Sequence, residues 1–148
     1  MNKLEDQKLN EQDLPLKDLW LLLIEDETDI AELLTFVLEQ AGAKVITANS
    51  GHEALKTMEC FIPNVLISDI RLPDTDGWSL LAKMRALEQQ KGTSAIPAIA
   101  ITNYSTKLLD QEVNHKALSA GFQKYLSKPL EFNEFVVAVA ELAQRQPN

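Results

Sequence analysis

Four apolar runs in this 148-residue sequence end at residues able to handle phosphate or a hard cation. Leu19 to Ile24 runs into Glu25 and Asp26, Val65 to Ser68 into Asp69, Ala98 to Ile101 into Thr102, and Lys124 to Leu126 leads to Lys128 and Pro129. Each residue alone has an ordinary explanation. Aspartate favours turns, Thr suits strands, Lys before Pro is extended by sterics, and Glu25 could be a solvated charge. Gathered at one edge they would be something else. Three clustered carboxylates repel unless a cation sits among them, and such oxygen ligands suit Mg2+, which takes one or two carboxylates plus phosphate. Lys128 adds a compact positive charge and Thr102 a hydroxyl donor. That set fits in-line phosphoryl transfer onto the Asp69 carboxylate, where catalysis is mostly positioning and charge neutralisation.

The elements between these residues decide whether they meet. Unalternated apolar runs suit strands buried on both faces of a parallel sheet. After the first run, Ile30, Leu33, Leu34, Val37 and Leu38 form a helical stripe, with Asp29 and Glu32 as a capping box and Gly42 as the stop. Val45 to Ala48 reads as a second strand, and Ser50 with Glu53 caps a helix carrying Ala54, Leu55 and Met58 that ends before Pro63. Beyond Asp69, the turn Pro73 to Gly77 opens a helix with Leu80, Leu81, Met84 and Leu87, dissolving near Gln89. Leu108, Leu109, Val113 and Leu118 mark a further helix stopping at Gly121. The last helix carries Phe132, Phe135, Val136, Val139, Ala140 and Ala143, with Arg145 near its end. Five βα units imply an α/β fold, a parallel sheet between helical layers with right-handed crossovers. Ligands of such sheets bind beyond the strands' carboxyl ends, where the polar residues would gather.

Composition narrows the function further. A net charge of −8 argues against general binding to nucleic-acid backbones or anionic membranes. The single cysteine, Cys60, excludes an internal disulfide framework and fits a reducing cytoplasm. No apolar stretch approaches the roughly 18 residues of a membrane span, and no signal-peptide pattern opens the chain. Residues 1–17 read as a mobile polar tail, or as a short partner-binding arm using Leu4, Leu9, Leu14 and Leu16, leaving 18–146 as one domain. Trp20 and Trp78 read as packing residues, and His52, His115 and Cys60 as unremarkable ones.

In four motifs the chain resembles the receiver domain of bacterial two-component response regulators: Ile-Glu-Asp-Glu at 24–27, Ser-Asp-Ile-Arg-Leu-Pro-Asp-Thr-Asp-Gly at 68–77, Ala-Ile-Thr-Asn-Tyr at 100–104, and Tyr-Leu-Ser-Lys-Pro at 125–129. The resemblance runs from about Leu19 to Leu142. It implies a flavodoxin-like, doubly wound five-stranded parallel sheet of order 2-1-3-4-5, with helices on both faces. It also implies Mg2+ held by Glu25, Asp26, Asp69 and the Arg71 carbonyl. Asp69 would accept the phosphoryl group, Thr102 and Lys128 would bond its oxygens, and Thr102 and Tyr125 would act as the switch pair. The implied partners are a sensor histidine kinase or histidine phosphotransfer protein, and a downstream protein docking on the face around residues 105–145.

Two features depart from the family. Asn103 stands where Ala or Gly is usual, and the interval from Thr102 to Lys128 is a few positions longer. Since the sequence ends shortly after its last helix, a single-domain type is expected, with output through a partner. Independent substrate turnover is not expected, because an aspartyl-phosphate phosphatase would need an acid/base carboxylate where Arg71 stands. The remaining alternative is a non-phosphorylated interaction domain on the same fold.

Overall fold

A computed structural model describes residues 13–103 and 121–144. Its elements in chain order are β1 (Trp20–Ile24), α1 (Thr28–Gln40), β2 (Lys44–Ala48), α2 (Gly51–Cys60), β3 (Val65–Asp69), α3 (Gly77–Lys91), β4 (Ala98–Thr102), β5 (Lys124–Ser127) and α4 (Phe132–Leu142). The helix expected around Leu108 to Leu118, Arg145, His115 and most of the expected tail lie outside the described residues.

All five strands pair in parallel in the order β2-β1-β3-β4-β5, as the βα alternation and the resemblance implied. Alternation along each strand builds two cores. Leu22, Ile24, Leu66, Ala98 and Ala100 face α2 and α3 with Met58, Leu80, Leu81 and Met84. Leu21, Leu23, Val65, Ile67, Ile99 and Ile101 face α1 and α4 with Leu34, Leu38, Phe135 and Val139. Both faces of β1, β3 and β4 are therefore covered, which is why those runs show no polar alternation. Each fully buried Leu or Ile contributes roughly 1.5–3 kcal/mol relative to exposure, so the three adjacent leucines 21–23 hold β1 far more strongly than local propensity does.

Several local expectations need correction. Asp29 and Glu32 form no capping box: α1 begins one residue after Glu27, and no side chain caps it. Of the expected α1 stripe, Leu34 and Leu38 are buried and Ile30 packs against the same core, but Leu33 is 48% exposed. Ser50 does cap α2, accepting the Glu53 N–H at 3.1 Å. α3 does not dissolve at Gln89. It runs on to Lys91 and stops at Gly92, whose φ of 69° is left-handed backbone that glycine adopts without a Cβ clash. In α4, Ala138 is buried while Phe132 is 40% exposed. The segment expected as tail is packed near its end. Leu16 is fully buried and its N–H donates to the Ala41 carbonyl at 2.8 Å, so the packed domain begins before residue 18. Trp20 is partly exposed, edge-on to Phe61 with centroids 5.5 Å apart, and Lys44 lies over its ring.

The β3–α3 unit clasps α2 at both ends. Lys91 Nζ donates to the Met58 and Glu59 carbonyls, satisfying orphan acceptors of the last turn. The Asp74 carboxylate accepts the Gly51 and His52 N–H groups, both at 2.9 Å. Those two backbone hydrogen bonds hold the Asp74 carboxyl below its ordinary value of 3.8. A depressed folded-state value means its stabilisation is present above the unfolded value and is lost as pH falls through the folded one. The stability gap between the parent and Asp74→Asn should therefore shrink once pH drops below the ordinary aspartate range, as read by urea unfolding across an acid series.

Candidate functional site

Register puts the polar residues at one edge. Ile24 pairs with Ser68, so Glu25 and Asp69 follow side by side at the ends of β1 and β3. Asp69 pairs with Ile101, and Thr102 with Ser127, placing Thr102 and Lys128 one step further along β4 and β5. Backbone bonds carry the ladder past the strands. The Glu25 N–H donates to Ala48 O at 3.0 Å, Ile70 N–H to Ile101 O at 3.0 Å, and Lys128 N–H to Thr102 O at 2.6 Å. Lys128 precedes Pro129 through a cis peptide.

At the centre, Lys128 Nζ donates to Glu25 Oε1 and to Asp69 Oδ2, both at 2.7 Å. Asp69 Oδ1 accepts the Arg71 N–H at 3.0 Å, and Glu25 Oε2 accepts the Glu27 N–H at 3.3 Å. Glu25, Asp69 and Thr102 are buried, while Asp26 is exposed beside them. Burial pushes Glu25 up to about 7, aided by the Asp69 charge and opposed by Lys128. Burial also works against the Lys128 charge, but hydrogen bonds to Asp69 and Glu25 outweigh it and hold the ammonium above its ordinary value. A charged Lys128 cannot neutralise all three acids.

Carboxylate oxygens of Glu25, Asp26 and Asp69 lie within 4.8 Å of one another. Three acids against one ammonium leave an excess of negative charge, and hard oxygen donors at this spacing fit a divalent cation such as Mg2+. The donor set thus suits the expected metal.

The expected site residues Glu25, Asp26, Asp69, Thr102 and Lys128 all come to this edge. Tyr125 sits level with Ala100 on β5, half-buried against the α2–α3 core, its hydroxyl 3.1 Å from Ser127 Oγ. Asn103 is exposed directly after Thr102. Trp78, at the start of α3, is partly buried.

Gly77 backs Asp69. A Cβ there would lie 2.9 Å from the Asp69 carbonyl and 3.1 Å from Ile70 Cα, both backbone atoms with little freedom to move. Gly77→Ala should cost roughly 1–3 kcal/mol by overpacking and displace the Asp69 backbone, which thermal unfolding of the variant against the parent checks.

Sequence reasoning missed three polar groups, Asp74 and Asp76 beside the site and Glu88 near the far end of α3. Asp76 caps α3 through the Ser79 N–H at 2.7 Å, and its place just before a helical run was a readable signal. Asp74 had no such signal, since its partners Gly51 and His52 are distant in sequence; Glu88 showed only an i,i+3 spacing with Arg85, which does not foretell its bond to the Ile96 N–H.

A parallel sheet of order 2-1-3-4-5 with a buried Asp, an acidic neighbour pair and a Lys at adjoining strand ends defines a phosphoacceptor-type signalling domain. Comparison with known proteins makes the assignment specific: the family described as "Response regulator receiver domain" matches residues 21–140. The chain belongs to that family and is a receiver domain of two-component response regulators. It is 37% identical over 121 residues to an uncharacterized 14.6 kDa protein of Leptolyngbya boryana, covering 82% of this chain and 87% of that one. It is 33% identical to the transcriptional regulatory protein CssR of Bacillus subtilis, covering 82% of this chain but 50% of the relative. The chain therefore spans about half the length of that regulator. Among solved structures, a putative response regulator from Chloroflexus aurantiacus superposes with a TM-score of 0.76 at 32% identity, covering 87% of this chain and 100% of that one. Receiver domains of this family work with histidine kinases or phosphotransfer proteins. Among the described residues no helix is long and apolar enough to cross a membrane.

Proposed function

We propose that Asp69 accepts a phosphoryl group from the phosphohistidine of a sensor kinase or phosphotransfer protein in the cytoplasm, with Mg2+ as the required cation. The observation that carries this reading is the Lys128 ammonium bridging Glu25 and Asp69 at 2.7 Å within a three-carboxylate cluster. An Asp69 carboxylate oxygen attacks phosphorus. The new P–O bond forms as the N–P bond breaks, and the histidine nitrogen leaves with the electron pair. Lys128, already at Asp69, is placed to follow the charge onto a phosphoryl oxygen, and Thr102 supplies a hydroxyl to another. Glu25, Asp26, Asp69 and the Arg71 carbonyl would hold Mg2+, which supplies charge neutralisation on the transferring group.

Phosphorylation then biases an equilibrium between two arrangements of a protein-binding face around residues 105–145, with Thr102 and Tyr125 as the linked pair. Moving such a switch from mostly off to mostly on requires a bias of about 5.5 kcal/mol, less where the resting bias is small. The domain assists its own phosphorylation and dephosphorylation and turns over no independent substrate.

The test is exposure of the purified protein to a small acyl phosphate with Mg2+ or with excess chelator. One base-labile phosphoryl group per chain, formed only with Mg2+, is the expected result. A chain that takes no label under either condition would favour the non-phosphorylated interaction domain.

A further inference from the structure

The β3–α3 loop carries two groups of the site, the Arg71 N–H that bonds Asp69 Oδ1 and the Arg71 carbonyl. Its root is closed locally: Gly77 N–H donates to Ile70 O at 2.7 Å, Leu72 N–H to Thr75 O at 3.1 Å, and Arg71 bridges Asp76. Its tip is exposed at Pro73 and Asp74. Among the described residues, contacts with α2 fix that tip from outside. Asp74 uses both carboxylate oxygens on Gly51 and His52, and Thr75 lies so close that a Cβ on Gly51 would come within 2.5 Å of its methyl group.

Gly51 stands three residues after Ala48, whose carbonyl accepts the Glu25 N–H. The contacts therefore close a ring: Glu25 to Ala48, along the chain to Gly51, across to Asp74, back through the loop to Arg71, and on to Asp69. Glu25 and Asp26 lie on one side of this ring, Asp69 and Arg71 on the other. β1 and β3 pair directly as far as Ile24 and Ser68, and Lys128 bridges Glu25 and Asp69 just beyond, whereas Arg71, further along the loop, is reached by neither.

We propose that Asp74 is a positioning residue for the divalent cation: by tying the β3–α3 loop to the first turn of α2, it sets where the loop, and with it the Arg71 carbonyl, stands relative to Glu25 and Asp26. This rests on the phosphoacceptor reading above. Asp74 touches neither the cation nor the phosphoryl group. Outer-shell groups that bond a metal ligand typically change metal affinity 10–100-fold when removed; Asp74 acts one step further out, so the lower end of that range is expected.

The experiment measures Mg2+ affinity by titration calorimetry, and labelling rate against Mg2+ concentration, for the parent, D74A, D74N and S50A. Ser50 caps the same helix end through Glu53 but does not touch the loop, so S50A reports what loosening α2 does by itself. D74A should bind Mg2+ roughly tenfold more weakly, with its labelling rate recovering at saturating Mg2+. D74N should fall between, because its side-chain oxygen can accept while its NH2 cannot, and it carries the comparison if D74A fails to fold. S50A should bind Mg2+ as the parent does. Parent-like affinity in both Asp74 variants overturns the proposal, as does an equal weakening in S50A, which would assign the effect to α2 alone. A parent that binds no Mg2+ and takes no label brings down the phosphoacceptor reading, and this proposal with it.

Discussion

Asp69→Asn should reduce Mg2+-dependent labelling by an acyl phosphate to background while leaving the fold intact. The amide is nearly isosteric with the carboxylate and still offers an oxygen to the Arg71 N–H or to Lys128. What it loses is nucleophilicity and charge. A neutral amide oxygen is a poor nucleophile for phosphorus, and the cluster keeps only Glu25 and Asp26 as acidic donors. Stability should change little, because two effects oppose each other. The charge-assisted bond from Lys128 is weakened, but repulsion between Asp69 and buried Glu25 is relieved, and that repulsion is one of the causes raising Glu25. Lys128 keeps its 2.7 Å partner in Glu25, so no buried ammonium is left unpaired. Parallel measurements of label incorporation and thermal unfolding separate the two claims. Undiminished labelling in Asp69→Asn would place the acceptor elsewhere.

Glu88→Ala should be strongly destabilising, at up to roughly 3–5 kcal/mol, the range for breaking a buried ion pair by removing one partner. Against a total of about 5–15 kcal/mol for a typical domain, that is a large fraction. Glu88 is 4% exposed near the end of α3. Its two oxygens lie 2.9 and 3.0 Å from Arg85 Nη1, and Oε2 also accepts the buried Ile96 N–H at 2.7 Å, just before β4. Arg85 Nη2 reaches on to the Gly121 carbonyl at 3.3 Å. Truncation would strand the Ile96 donor and loosen the approach to the strand that carries Thr102. Glu88→Gln keeps an acceptor for Ile96 and should cost about half as much, since the hydrogen bond survives while the charge pairing does not. Urea unfolding of the parent and the two variants gives the comparison, and an alanine variant within about 1 kcal/mol of the parent would show that Glu88 is replaceable.

These two residues divide along the line between local and tertiary information. Asp69 was legible because its surroundings are local: an apolar run says strand, and Asp interrupting it says strand end. The regular βα alternation then obliges strand ends to share an edge, since parallel crossovers return the chain in the same direction. The same reasoning reached Glu25, Asp26, Thr102 and Lys128, and the family resemblance named their roles. Glu88 carried no comparable mark. In sequence it is one more charged residue near a helix end, spaced i,i+3 from Arg85, and that spacing does not say that its carboxylate turns inward to the Ile96 N–H.

The capping errors have the same origin. Asp29 with Glu32 satisfied the local pattern that Ser50 with Glu53 also satisfies, yet only Ser50 caps a helix. Nor did the sequence show that Leu16 would be buried, because the cover over it comes from elements further along the chain. Element types, their order and the acidic edge thus follow from short-range pattern, where burial periodicity dictates backbone geometry. Which acids share Lys128 and which loop tip is held fast follow from contacts across 20 residues or more, such as Lys128 to Glu25 and Asp74 to Gly51. Such contacts depend on how helices pack on the sheet, and no window of sequence contains both partners.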